Sequence, residues 1–116
     1  MTKTKIYHNP RCSKSRQTLE LLSGQGLDTE VIEYLKTPPD AADLERILVL
    51  LGLEPRQLMR TNEAEYTELK LDDTSLSRQQ LIATMVEHPK LIQRPIVLSN
   101  GKAALGRPPE SVLEII

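Results

Sequence analysis

Tyr7-His8-Asn9-Pro10-Arg11-Cys12-Ser13-Lys14-Ser15-Arg16 stands between a short strand-like segment and one with helical apolar spacing. Pro10 fixes φ and has no N–H to give to a ladder, so a strand arriving over residues 3–7 must end before it. Beyond the turn, residues 13–22 read as a helix with Leu19 and Leu22 on one face. Cys12, the single cysteine of the chain, then falls at or just before the first helical turn. The unpaired N–H groups and positive dipole end of a helix favour a thiolate there, and Arg11, Lys14 and Arg16 add positive charge nearby. A lone cysteine is more often an inert core residue. A turn crowded with charges that must stay hydrated argues instead for a reactive thiol with a lowered pKa and for a place that welcomes an anion.

Working outward, residues 30–34 form a β-branched run after Gly24 and Gly26, so the first third reads strand, helix, strand. A crossover of that length makes the two strands parallel neighbours and puts Cys12 at the carboxyl end of the first, where open α/β sheets place their ligands. Thr37-Pro38-Pro39 breaks the pattern. Asp40 is placed to cap a helix carrying Leu44, Ile47, Leu48 and Leu51 and stopping at Gly52. A short helix is expected around residues 55–59. Residues 61–73 are polar, with Tyr66, Leu69 and Leu71 as anchors, and Ser77 with Gln80 is a capping box for a helix bearing Leu81, Ile82, Met85 and Val86. Ile96-Val97-Leu98, the turn signal Asn100-Gly101 and residues 102–105 make a hairpin; Gly106-Arg107-Pro108-Pro109 leads into a last helix with Val112, Leu113 and Ile116 on its buried face. The order βαβ, helical insertion at about 37–90, ββα is that of the thioredoxin-like α/β fold with a small mixed sheet, expected as one domain over residues 1–116.

Composition narrows the function. With 15 basic and 16 acidic residues and a net charge of −1, the chain has no overall basic field for nucleic acid or an anionic membrane. Three Tyr and no Phe or Trp leave no base-stacking platform. One cysteine forms no internal disulfide, CxxC pair or cysteine metal cluster, and two distant histidines make a poor metal site. The first residues carry no apolar h-region and no run reaches membrane-spanning length, so a cytoplasmic, monomeric protein without bound cofactor or metal is expected.

Arg60, Arg94 and Arg107 each stand beside proline or at an element edge. Singly, each reads as a solvated charge. Arg94 and Arg107 bracket the hairpin, however, and both ends of a ββα unit beside the first strand approach the Cys12 turn, where planar guanidinium forks suit an oxyanion. His88 closes a helix and reads as structural. His8, inside the loop, serves either as base or electrostatic partner of Cys12 or as a brace for the loop.

Tyr7-His8-Asn9-Pro10-x-Cys12-x-x-Ser15-Arg16, Tyr34-Leu35-x-x-Pro38-Pro39, Leu58-x-Arg60, His88-Pro89-x-Leu91-Ile92-x-Arg94-Pro95-Ile96-Val97 and Arg107-Pro108 together resemble the glutaredoxin-coupled arsenate reductases and their close relatives, from one end of the chain to the other. The resemblance implies a cis peptide at Arg94-Pro95, Cys12 as nucleophile, His8 beside it, and Arg60, Arg94 and Arg107 as an oxyanion clamp, with Ser15 and Arg16 also binding the oxyanion. It further implies arsenate or a similar oxyanion as substrate, glutathione as co-substrate and glutaredoxin as partner. Phosphatase-type arsenate reductases need an arginine six positions after the cysteine, where this chain has Thr18. Two other functions share the pattern: an RNA polymerase-binding regulator of the same fold, and a monothiol thiol-disulfide oxidoreductase with another substrate.

Overall fold

The computed structural model describes residues 4–116. Lys3 and the rest of the N-terminal start lie outside that range, so the expected first strand is described from its second residue. The chain divides into two compact units, one made of Met1–Thr37 with Arg94–Ile116, the other of Pro38–Gln93.

The first unit is built on β1 (Thr4–His8), α1 (Ser13–Gly24), β2 (Thr29–Glu33), β3 (Ile96–Ser99) and β4 (Lys102–Leu105). The sheet order is β2-β1-β3-β4. β1 lies parallel to β2, with Ile6 opposite Val31, and antiparallel to β3, with Ile6 opposite Val97. A central strand is covered on both faces, and β1 is buried at every position but Lys5. The β3–β4 turn has Asn100 at φ 56° and Gly101 at φ 72°, the two left-handed residues that a type I′ hairpin demands. Ile6, Leu22, Val97 and Val112 form the apolar core between sheet, α1 and the C-terminal segment, with Leu19, Leu27 and Ala104 packed against it. Burying a side chain of this size contributes roughly 1.5–3 kcal/mol.

That C-terminal segment differs from expectation. Pro109–Glu114 is a 3-10 helix. Its period of three residues puts Val112 and Ile115 on the same side, Val112 fully buried, while Leu113 turns outward at 39% exposure.

The second unit holds α2 (Ala41–Leu51), α3 (Ala64–Glu68) and α4 (Arg78–Glu87), with 3-10 turns at Pro55–Leu58 and Pro89–Leu91. Asp40 caps α2 by accepting the Asp43 N–H at 2.8 Å, and Gly52 ends it at φ 68°. Ser77 and Gln80 form the expected capping box of α4. The backbone closes on itself where the Arg60 N–H donates to the Leu91 carbonyl and the Gln93 N–H to the Leu58 carbonyl, both at 2.7 Å. Within 61–73 only Leu71 is a full anchor. Lys70 takes φ 53° directly after α3, which reverses the chain and buries Leu71 to 2% while Leu69 stays 41% exposed. Among the described residues no helix is long and apolar enough to cross a membrane.

Candidate active site

The loop from β1 to α1 is a sequence of local hydrogen bonds. The Asn9 side-chain oxygen accepts the Arg11 N–H at 3.0 Å, and the Asn9 carbonyl accepts the Cys12 N–H at 3.0 Å. Those bonds make an Asx turn inside a β-turn with Pro10 at its second position, the site where a fixed φ is an advantage. Cys12 emerges extended, at φ −93° and ψ 122°, as the N-cap of α1, and its carbonyl accepts the first helical bond from the Arg16 N–H.

Underneath, Ser15 is fully buried. Its hydroxyl oxygen accepts the Asn9 N–H at 3.0 Å and lies 2.6 Å from His8 Nδ1. Burial holds the His8 pKa below the ordinary imidazole value; Glu33 opposes that effect and Arg16 reinforces it. The imidazole tautomer decides which of the two donates in the His8–Ser15 bond. His8, Asn9 and Ser15 thus lock the loop to the helix. The hydroxyl of Ser15 is committed to this network, so what Ser15 turns toward the sulfur is its backbone N–H. Arg16, also expected at the oxyanion, donates from Nη1 to the Pro10 carbonyl at 2.9 Å and ties down the other side of the loop.

The Cys12 thiol pKa is lowered. Partial burial is the largest single influence and acts upward; the Ser15 N–H, the hydrogen bond and charge of Arg94, and the Lys14 N–H together outweigh it. The two amides act on the sulfur without closing a side-chain capping bond of ordinary geometry. Arg107 is the second guanidinium at the sulfur, with Nη2 3.6 Å from Sγ. Of the side chains, Arg94 contributes most to lowering the thiol pKa. The side-chain charges of Arg11, Lys14 and Arg16, expected to depress the pKa, are not among its main causes, and Arg16 is engaged by the Pro10 carbonyl.

The arginines are positioned by the backbone between them. Arg107 Nε donates to the Arg94 carbonyl at 2.7 Å, and the Gly106 N–H donates to the Pro95 carbonyl at 2.9 Å, so the entry to β3 and the exit from β4 are stitched together. Both Arg94-Pro95 and Arg107-Pro108 are cis; the second was not expected, because nothing in the residues around it marks it. Gly106 has no room for a side chain. A Cβ there would lie 2.6 Å from Pro95 Cγ and collide with Thr18 Oγ1, whose hydroxyl donates to the Lys14 carbonyl of α1 at 2.8 Å. Arg94 Nε is buried and has no hydrogen-bond partner among the described residues. A buried guanidinium N–H without an acceptor costs about 1–3 kcal/mol, which an anion bound at that place would return.

Arg60 belongs to the second unit, where Nη1 stands 3.3 Å from Glu63 Oε1 as an ion pair without hydrogen-bond alignment. His88 is the C-cap of α4, its N–H donating to the Thr84 carbonyl at 2.9 Å, which is a structural part.

A thioredoxin-like sheet that presents one activated cysteine at the start of its first helix, with two arginines turned onto the sulfur, defines a monothiol protein whose site accepts an anion. The chain belongs to the ArsC family, whose model matches residues 7–115. It is 59% identical over the whole chain to the uncharacterized protein YfgD of Escherichia coli K12, covering 99% of that protein. To an arsenate reductase of Neisseria meningitidis serogroup A it is 48% identical, with all of both chains covered. The solved arsenate reductase from Vibrio cholerae superposes with a TM-score of 0.96 at 55% identity, over 99% of this chain and 98% of that one.

Proposed function

We propose that the protein reduces arsenate to arsenite through the Cys12 thiolate. The observation that carries this reading is the pair Arg94 and Arg107 at the Cys12 sulfur, with Arg94 Nε buried and still open to an acceptor. Relatives named arsenate reductase across the full chain support it.

In the first step Cys12 sulfur attacks the arsenic of dihydrogen arsenate. An S–As bond forms, an As–O bond breaks, and the departing oxygen takes a proton from solvent and leaves as water. Arg94 and Arg107 hold the remaining oxygens and stabilise their charge as it builds. In the second step the thiolate of glutathione attacks the Cys12 sulfur. The new S–S bond forms as the S–As bond breaks, its electron pair stays on arsenic, and As(V) becomes As(III), which leaves as arsenite after protonation by water. Glutaredoxin then removes glutathione from Cys12. A single cysteine suits this sequence, because the second and third thiols come from other molecules, and such a cycle belongs in a reducing compartment such as the cytoplasm. Bare thiol-disulfide exchange would leave two arginines at the sulfur without a partner. Arg60, the third arginine expected at the oxyanion, pairs with Glu63 in its own unit and keeps Nη1 buried without a hydrogen-bond partner among the described residues.

The test is arsenite production from arsenate, glutathione and glutaredoxin with a recycling system. Turnover of order 1 per second or more is expected. Cys12→Ser should abolish it, and Arg94→Ala or Arg107→Ala should lower kcat/KM for arsenate about 10- to 100-fold, the loss of one charge-assisted hydrogen bond. Full turnover by Cys12→Ser would end the covalent scheme.

A further inference from the structure

The chemistry around the Cys12 sulfur is not particular to arsenic. The cysteine is only partly buried, so a small molecule reaches it from solvent. Arg107 Nη2 donates to Sγ at 3.6 Å, and Arg107 Nε is anchored on the Arg94 carbonyl at 2.7 Å, which fixes that guanidinium beside the nucleophile. Arg94 brings a second guanidinium to the thiol, and its Nε is buried without an acceptor among the described residues. A thiolate flanked by fixed cationic donors suits any electrophile whose attack releases negative charge onto oxygen. Hydrogen peroxide is the smallest of these. When a thiolate strikes one of its oxygens, the charge appears on the neighbouring oxygen, within reach of donors that already touch the sulfur. Accessible thiolates in electropositive surroundings are also the cysteines that oxidise to sulfenic acid.

We propose that the protein reduces hydrogen peroxide at Cys12, with the guanidinium groups of Arg94 and Arg107 taking up the charge of the departing oxygen. The Cys12 sulfur attacks one peroxide oxygen and an S–O bond forms. The O–O bond breaks, and the second oxygen leaves with the electron pair as hydroxide, which takes a proton from solvent. The sulfur has lost two electrons and is a sulfenic acid. The chain holds no second cysteine to condense with it, so an external thiol completes the cycle. That thiolate attacks the Cys12 sulfur, an S–S bond forms, the S–O bond breaks, and hydroxide leaves to become water. A second thiol molecule then opens the mixed disulfide and returns the Cys12 thiolate. One peroxide and two thiols become two waters and one disulfide. The activity uses the same sulfur and arginines as arsenate reduction and needs no arsenate.

The experiment compares two reagents at the same sulfur. The reduced protein is mixed with hydrogen peroxide, sulfenic acid is trapped with dimedone and followed by intact mass, and the rate per thiolate is set beside that of iodoacetamide alkylation. The peroxide rate per thiolate should exceed that of 2-mercaptoethanol by about 100-fold, the worth of one placed oxyanion donor. Arg107→Ala should lower the peroxide rate about tenfold and alkylation, which expels iodide, far less. Arg107→Lys, which keeps the charge and loses the planar fork, should fall between. Cys12→Ser should form no adduct. With 2-mercaptoethanol present, the native protein should consume many equivalents of peroxide. A peroxide rate per thiolate equal to that of the free thiol, equal losses for both reagents in Arg107→Ala, or consumption that stops at one equivalent would overturn the proposal. Arsenite production is read separately, so failure of either activity leaves the other standing.

Discussion

At the scale of single residues, Cys12 is governed by groups that oppose one another. Partial burial resists the thiolate, and amides plus Arg94 prevail over it. Removing Arg94 should therefore raise the thiol pKa toward its ordinary value. Alkylation of Cys12 by iodoacetamide, followed against pH, should have its midpoint at higher pH in Arg94→Ala than in the native protein, and the rate at pH 6 should drop. An unchanged midpoint would mean that the helix amides alone set the thiolate. Arg107→Ala should move the midpoint less, because Arg94 is the side chain with the larger influence on the thiol.

At the scale of elements, the site depends on how closely the turn after β4 approaches the first helix. Gly106 sits against Thr18 of α1 and against Pro95, and its N–H is bonded to the Pro95 carbonyl. Gly106→Ala should push the Arg107 segment away from α1. We expect a stability loss of about 1–3 kcal/mol, the usual range for overpacking, read from urea denaturation. It should be accompanied by a fall in kcat/KM larger than the fraction unfolded accounts for. Stability lost with the kinetics of the folded fraction intact would show that Arg107 finds its place without this contact. Thr18 occupies the position where a phosphatase-type loop would need arginine, and here its hydroxyl and methyl form the wall against Gly106.

At the scale of the whole molecule, the buried His8–Ser15 pair links the loop to the pH dependence of folding. The folded-state pKa of His8 lies below its ordinary value of about 6.5. Above that value the imidazole is neutral whether the chain is folded or not. As the pH falls through it, the unfolded chain takes up a proton that the folded one resists, so stability declines until folded His8 is protonated as well. Thermal unfolding should show Tm falling as the pH drops below about 6.5, and His8→Gln should flatten that part of the curve, though at some overall cost because the hydroxyl of Ser15 loses its ring partner. A His8→Gln curve with the native slope would assign the acid sensitivity to other groups.

Much of this was legible from residue order. Pro10, Asn100-Gly101, Asp40 with Gly52, and Ser77 with Gln80 each act through their own backbone neighbours, so the turns, caps and element order follow from local chemistry, and the single cysteine ahead of a helix marks the nucleophile. The paired occurrence of Arg94-Pro95 and Arg107-Pro108 pointed to the anion site through a family resemblance. Other features were decided only by tertiary structure. Ser15, expected at the oxyanion, is buried with its hydroxyl bonded to His8 and Asn9. Leu69 and Leu113 looked like core residues until the reversal at Lys70 and the three-residue period of the last helix turned them outward. Which cations meet the sulfur was likewise settled in space: Arg94 lowers its pKa and Arg107 stands 3.6 Å from it, both remote from Cys12 in the chain. Hydrogen bonds within a turn are written into consecutive residues; burial and charge act through distance, and distance between remote segments exists only once the chain has folded.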